Sequence, residues 1–284
     1  MSQYLINGLV LSSIYIIVAL GLTLVYSILD VPNFAHGELV MLGAYFGVFL
    51  IGLMGVSSYF LVLIFSVVAL AGLSVLLWKL VFRPLRSAPP VTMFIAALGL
   101  VYIFQSAVQL IWGKEWLSLP SPFAGSVRLG GAAITHTRIF IFSVGCLLMI
   151  FVSLFIYRTW LGKGIRAVSQ SESGAALTGI NANRLMTLSF AVSGALAGCA
   201  GILLGHVTFV FPLMGFSPLL KAFAMIIIGG MGSIPGAIIG GFIIGVIETL
   251  CVVFFSAEYT DIFAFGALVI TLMVRPRGLM GRLE

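Results

Sequence analysis

Apolar runs close to twenty residues long follow one another along the whole chain, and each is enough to cross the ~30 Å hydrocarbon core of a bilayer as a helix. Candidate spans fall near 5–29, 37–54, 57–78, 91–112, 139–157, 185–209, 218–231, 236–257 and 262–274. Charged residues make up 8% of the 284 positions, about a third of the ~25% usual in soluble domains. A soluble fold of this size could not cover its surface with so few polar groups. The expected fold class is therefore all-α: a polytopic transmembrane helix bundle of about eight to ten crossings with broken helices, forming a single membrane domain over residues 1–284. The first run, MSQYLINGLVLSSIYIIVALGLTLVYSIL, has no basic residue before it and is too long for a signal-peptide core, so it reads as a retained helix.

Orientation follows from the basic residues. Ten of the fourteen fall in three places: Lys79, Arg83 and Arg86; Arg158, Lys163, Arg166 and Arg184; and Arg275, Arg277 and Arg282. Two crossings separate the first group from the second and four separate the second from the third, so one assignment puts all three in the cytoplasm. Three crossings before Lys79 would put the N-terminus outside, unless LDVPNFAHGE is a break at intermediate depth, which would alter the count. The loop 113–138, with WLSLPSPF, becomes an external cap on the headgroups. The net charge of +6 suits contact with anionic membrane lipid; without a basic face or stacking platform it gives no case for nucleic acid.

Glycine spacing supplies the packing signal. Gly194 and Gly198, Gly201 and Gly205, and Gly232, Gly236 and Gly240 recur four apart, a spacing that lets helix backbones approach in lipid. GGMGSIPGAIIGG, which holds Gly230 and Gly232, also interrupts an apolar block, as discontinuous helices bordering a transport path do. A second interruption is DVPNFAHGELVMLGAYFG. There Pro32 disfavours a helical Val31, Asn33 can cap the helix that follows, and Glu38 falls in the first turn, where the dipole favours an anion. Asn33, His36 and Glu38 are candidate path residues, as is Glu248 inside GFIIGVIETL, because ionisable groups at membrane depth face a partner or a cavity. Lys221 and His206 are weaker candidates: the first can snorkel, the second can bond a neighbouring carbonyl. Cys146, Cys199 and Cys251 sit in separate apolar runs as packing residues, not a disulfide framework.

The polar stretch GKGIRAVSQSESGAALTGIN, residues 162–181, stands alone in this apolar chain. Ser169 and Glu172 have capping-box spacing, Gly179 suits a helix stop, and Asn181 can cap the next span. A helix near 170–178 is expected, too short to persist in water unless it lies against a surface. Its small residues, Gly174 and Ala175 among them, suit a docking element for a soluble partner. No phosphate loop, H-E-x-x-H, G-x-S-x-G or paired catalytic carboxylates occur, so the chain is expected to be no enzyme, to hydrolyse no ATP by itself, and to need no cofactor or metal.

TWLGKGIRAVSQSESGAALTGIN resembles the cytoplasmic signature of branched-chain amino acid ABC transporter permeases, matching it at Thr159, Gly162, Arg166, Ala167, Gly179, Ile180 and Asn181. NFAHGELVMLGAY and GGMGSIPGAIIGG are similar to that family's early and late motifs, and the length is that of the shorter of its two permease types. SQSES departs from the pattern, where relatives often carry Asn or Asp with Pro. The resemblance implies a multi-pass subunit of the bacterial inner membrane, part of an importer for leucine, isoleucine, valine or related amino acids. Its implied partners are a second homologous permease, two ATP-binding subunits that hydrolyse ATP, and a periplasmic amino-acid-binding protein. Residues 158–184 would be the cytoplasmic coupling segment, with Gly162, Arg166, Glu172, Gly174, Ala175, Gly179 and Asn181 engaging the ATPase; the breaks at 33–38 and 229–236 would border the path. A urea or amide permease of the same superfamily shares these motifs. A secondary transporter is disfavoured because no charged relay is evident on facing spans.

Overall fold

The computed structural model describes residues 2–121, 123–129 and 132–281. Lipid cannot hydrogen-bond a bare backbone, so each apolar run closes its own hydrogen bonds as a helix. The helices are α1 (Ser2–Leu29), α2 (Ala35–Met54), α3 (Tyr59–Leu77), α4 (Pro90–Trp112), α5 (His136–Arg158), α6 (Trp160–Gln170), α7 (Glu172–Leu177), α8 (Ala182–Gly205), α9 (Phe216–Gly229), α10 (Ile234–Phe254) and α11 (Thr260–Val274). Eight are long and apolar enough to cross a membrane, α11 only together with the 3-10 turn Ala257–Tyr259 before it, and α9 is a shorter apolar helix. All nine expected segments are present to within a few residues. A π-helical turn, Trp78–Phe82, continues α3 and stacks Trp78 and Phe82 against Phe190 of α8.

Helices α1 and α8 are the most enclosed, and glycine decides their neighbours. A Cβ on Gly198 would lie 3.1 Å from the Ser66 carbonyl oxygen of α3, and one on Gly201 would strike the Val40 carbonyl of α2. On α10, Gly236 and Gly240 face the α9 backbone at Gly229 and Met225, while Gly241 and Gly245 face Ile16 and Ser12 of α1. Small residues four apart thus open one groove per helix face, as their spacing predicts.

Two ends of the bundle are distinguishable. At one, Gln3 donates to the Ala133 carbonyl (3.1 Å) and Arg138 to Asn7 Oδ1 (2.5 Å), while Leu117 and Val210 exchange backbone hydrogen bonds. At the other, Arg86 meets Glu172 and Asn183, and Arg166 and Arg277 line one cavity. The three basic groups therefore share an end, with the start of α1 opposite, as the charge pattern predicts; Arg282 lies outside the described residues. The cap carries a small antiparallel hairpin, β1 (Ser126–Leu129) and β2 (Ala132–Thr135), which the composition of 113–138 did not suggest. Trp116 stacks on Phe211 at 4.9 Å and stays 67% exposed on the cap.

Candidate translocation path and coupling surface

Helix α2 does not begin at the basic end. His36, fully buried, bonds the Val18 carbonyl of α1 through Nε2 (3.1 Å) and Ser193 Oγ of α8 through Nδ1 (3.2 Å). Val18 is eleven residues from the end of α1 and Ser193 eleven from the start of α8, or roughly 16 Å up at 1.5 Å per residue. Pro32 and Asn33 make this possible: Pro32 ends helical continuation, and Asn33 Oδ1 accepts the Ala35 N–H at 3.1 Å. Glu38 is buried in the first turn, one oxygen accepting from Gln105 Nε2 (2.9 Å) and the other without a partner.

Helix α9 begins at the same depth. The chain leaves α8 at the cap, runs back through Val210, and packs Gly215 backbone to backbone against Gly37. Two helix N-termini, with their positive dipole ends, thus meet near the middle of the bundle, their first N–H groups met locally by Asn33 and the Leu213 carbonyl. The sequence reading placed the second break at 229–236. That stretch is instead a tight turn at the basic end, where Gly230 (φ 108°) and Gly232 (φ 78°) join α9 to α10 and Ser233 caps α10. The backbone N–H groups of Leu279 and Met280 donate to the Ile228 and Gly229 carbonyls (both 2.8 Å), so the C-terminal tail closes the last turn of α9.

Two of the candidate charges face each other. Lys221 of α9 pairs with Glu248 of α10 (2.7 Å) and Asp261 of α11 (3.3 Å), with its ammonium 5.1 Å from the Tyr15 ring centroid of α1. Lys221 does not snorkel; four helices meet on its charge. His206 bonds the Tyr59 hydroxyl (3.1 Å) at the cap.

At the basic end the 158–184 segment folds as two helices, not one. Thr159 caps α6, accepting from the Gly162 N–H (3.0 Å), and Gly162 rests on the carbonyls of Phe155 and Ile156, where a Cβ could not fit. Helix α6 runs through Gln170, so Ser169 is not a cap: its hydroxyl bonds the Arg166 carbonyl. Ser171 caps α7 instead, accepting from Gly174 N–H (3.0 Å), and Glu172 opens α7 paired with Arg86. Partial burial lowers the Arg86 guanidinium from its ordinary value and raises the Asp30 carboxyl above its own. Gly179, at φ 80°, stops α7, its N–H on Ala176; Asn181 Oδ1 accepts the Arg184 N–H (3.1 Å) and starts α8. Ala175 turns into the protein, whereas Gly174 is exposed and Leu177 is 90% exposed.

The sequence profile of the family described as branched-chain amino acid transport system / permease component matches residues 4–272. The chain belongs to that permease family. The permease is 37% identical to the high-affinity branched-chain amino acid transport system permease protein LivH of Salmonella typhimurium and 36% identical to BraD, named likewise, of Pseudomonas aeruginosa. Each alignment covers 99% of this chain and 96% of the relative. Its fold is like that of a solved structure, PsaBC from Streptococcus pneumoniae in complex with Fab, with a TM-score of 0.53 at 13% identity over 97% of the permease and 92% of that chain. That likeness concerns fold alone. The permease is a multi-pass membrane component, and its geometry gives Lys221 a second partner in Asp261 and brings out Leu177 and the Gly37–Gly215 junction, which its motifs did not suggest.

Proposed function

We propose that the permease is one of two homologous membrane subunits of an ATP-driven importer of branched-chain amino acids in the bacterial inner membrane. The observation that carries this reading is the α6–α7 corner, which presents Leu177 and Gly174 outward from the basic end, taken as the cytoplasmic face, on a base held by the Arg86–Glu172 pair. A solvated apolar knob on a six-residue helix suits a groove in an ATP-binding subunit. Residues 158–184 are the coupling segment: Gly162, Arg166, Gly179 and Asn181 set its shape, Glu172 anchors it, Gly174 meets the partner, and Ala175 wedges α7 to the bundle. Asn33, His36, Glu38 and Glu248 border the path, whereas Gly230 and Gly232 shape the turn at the basic end. The interrupted helices at its middle are the arrangement in which transporters expose backbone polar groups to a substrate. Two ATP-binding subunits hydrolyse the nucleotide, and a periplasmic amino-acid-binding protein delivers substrate to the capped end. The substrate class rests on the relatives named for it.

The test is uptake of labelled leucine by proteoliposomes holding the permease with its genomic partner subunits and the binding protein. Uptake that requires ATP and every partner, and that isoleucine and valine compete, is expected. Competition by urea alone, or ion-driven uptake by the single chain, overturns the reading.

A further inference from the structure

A cavity of about 740 Å³ opens at the basic end, away from the Gly37–Gly215 junction. Its walls come from four parts of the chain: the end of α1 with Asp30, the α5–α6 corner with Arg166 and Ile165, the α9–α10 turn with Met231, and the C-terminal tail with Arg277 and Met280. The volume falls in the range of small-molecule sites. Its chemistry is mixed in a specific way: two guanidinium groups, one carboxylate, hydroxyls from Ser27 and Ser233, and an aliphatic and thioether lining. Among the described residues none of Asp30, Arg166 and Arg277 belongs to an ion pair: Asp30 and Arg277 are exposed at the cavity mouth, and the Arg166 guanidinium lies 5.0 Å from the Tyr157 ring centroid while its Nε is buried without a hydrogen-bond partner. Asp30 is also the one non-glycine residue with positive φ (51°) among them. Asp is among the few residues that adopt this conformation at little cost, and here it turns the chain sharply out of α1 beside the cavity.

We propose that this cavity binds a free α-amino acid with an apolar side chain and that its occupancy restrains import. The two guanidinium groups suit the carboxylate, Asp30 the ammonium, and Met231, Met280 and Ile165 the side chain. Such a ligand carries both charges complementary to these groups, which a simple anion or cation does not. The regulation follows from where the walls come from. Helix α6 belongs to the coupling segment, so a ligand held between α6, α1 and the tail stabilises one arrangement of the three and opposes any cycle that must separate them. Product accumulating on this face would then slow its own entry. The identity of the ligand rests on the substrate class proposed above; the site itself rests on the cavity.

Two measurements test it. Equilibrium binding of labelled leucine to the purified full-length permease in nanodiscs, with no binding protein present, reads the site directly. Saturable binding is expected, weakened about tenfold or more by Asp30→Asn or Arg277→Gln, since each removes a charge-assisted contact. In proteoliposomes of the complete importer, leucine trapped on the side of ATP should lower the initial uptake rate and ATPase activity. Either variant should relieve that inhibition while leaving the rate without trapped leucine unchanged. Asn tolerates positive φ as Asp does, and Arg277→Gln offers a second, independent change should the first impair folding. An importer that takes up leucine but shows neither binding to the permease alone nor inhibition overturns the inference and leaves the proposed function standing. Binding that both variants leave intact overturns it too. A complete importer that takes up no branched-chain amino acid defeats the proposed function, while the nanodisc measurement still decides the cavity.

Discussion

Lys221 shows how far a residue's role can lie from its local sequence. Its partners are 27 and 40 positions away, on different helices, and nothing in the apolar run around it announces them. Buried pairs of this kind are costly to break one side at a time and cheap to remove whole. Lys221→Met should therefore destabilise the detergent-solubilised permease by about 3–5 kcal/mol, whereas Lys221→Met with Glu248→Leu should recover most of the loss in thermal unfolding. Equal loss in both would mean that the pair contributes net stability. The capping residue of α7 teaches a similar lesson. Ser169 and Glu172 have capping-box spacing, yet Ser171 holds the position, because α6 continues one residue past Ser169. Only Ser169 satisfies the capping-box spacing, since Gly174 stands three residues after Ser171, yet the preceding helix leaves the cap to Ser171. Gly179 and Asn181 were legible because each acts within a few residues of itself.

At the scale of elements, the apolar runs were legible nearly to the residue, since hydrocarbon thickness and backbone satisfaction leave few alternatives. Depth was not legible. GGMGSIPG and VFPLMGFSP both carry Gly and Pro; the first is a turn at the bundle's end and the second precedes a helix that starts at its middle. Chain punctuation marks where a helix stops, not how far from the surface. The α2–α8 contact is the element pair most exposed to test. A leucine at Gly201 would drive its side chain into the backbone of Val40 to Ala44, and Gly201→Leu should cost well over the ~1–3 kcal/mol typical of overpacking; near-normal folded yield in size-exclusion would argue against this packing. On α7 the opposite holds. Leu177 is almost fully exposed, so Leu177→Ser should alter the stability of the permease alone by no more than about 0.5 kcal/mol. If the corner docks as proposed, the same change should weaken capture of the ATP-binding subunits at least tenfold, as loss of a buried anchor does.

For the whole molecule, the charge pattern predicts an inside and an outside that can be labelled. With Cys146, Cys199 and Cys251 replaced by serine or alanine, a single cysteine at Ser87 or Ser173 should react with a membrane-impermeant maleimide only from the cytoplasmic face, and one at Ser121 only from the other. Reaction of Ser87 and Ser121 from the same side would refute the count of crossings. The global topology was legible because the positive residues are few and grouped. What assembles the ends was not: the hairpin of the cap and the tail beneath α9 are made of backbone contacts, which side-chain patterns do not encode.

That tail has a consequence for how the chain is made. The last carbonyls of α9 are met by Leu279 and Met280, some fifty residues later in synthesis. While the ribosome is still adding α10 and α11, α9 already sits among its neighbours with its final turn open to the aqueous boundary. A chain cut before Leu279 would lose both of these backbone hydrogen bonds, so the end of α9 depends on the last residues made.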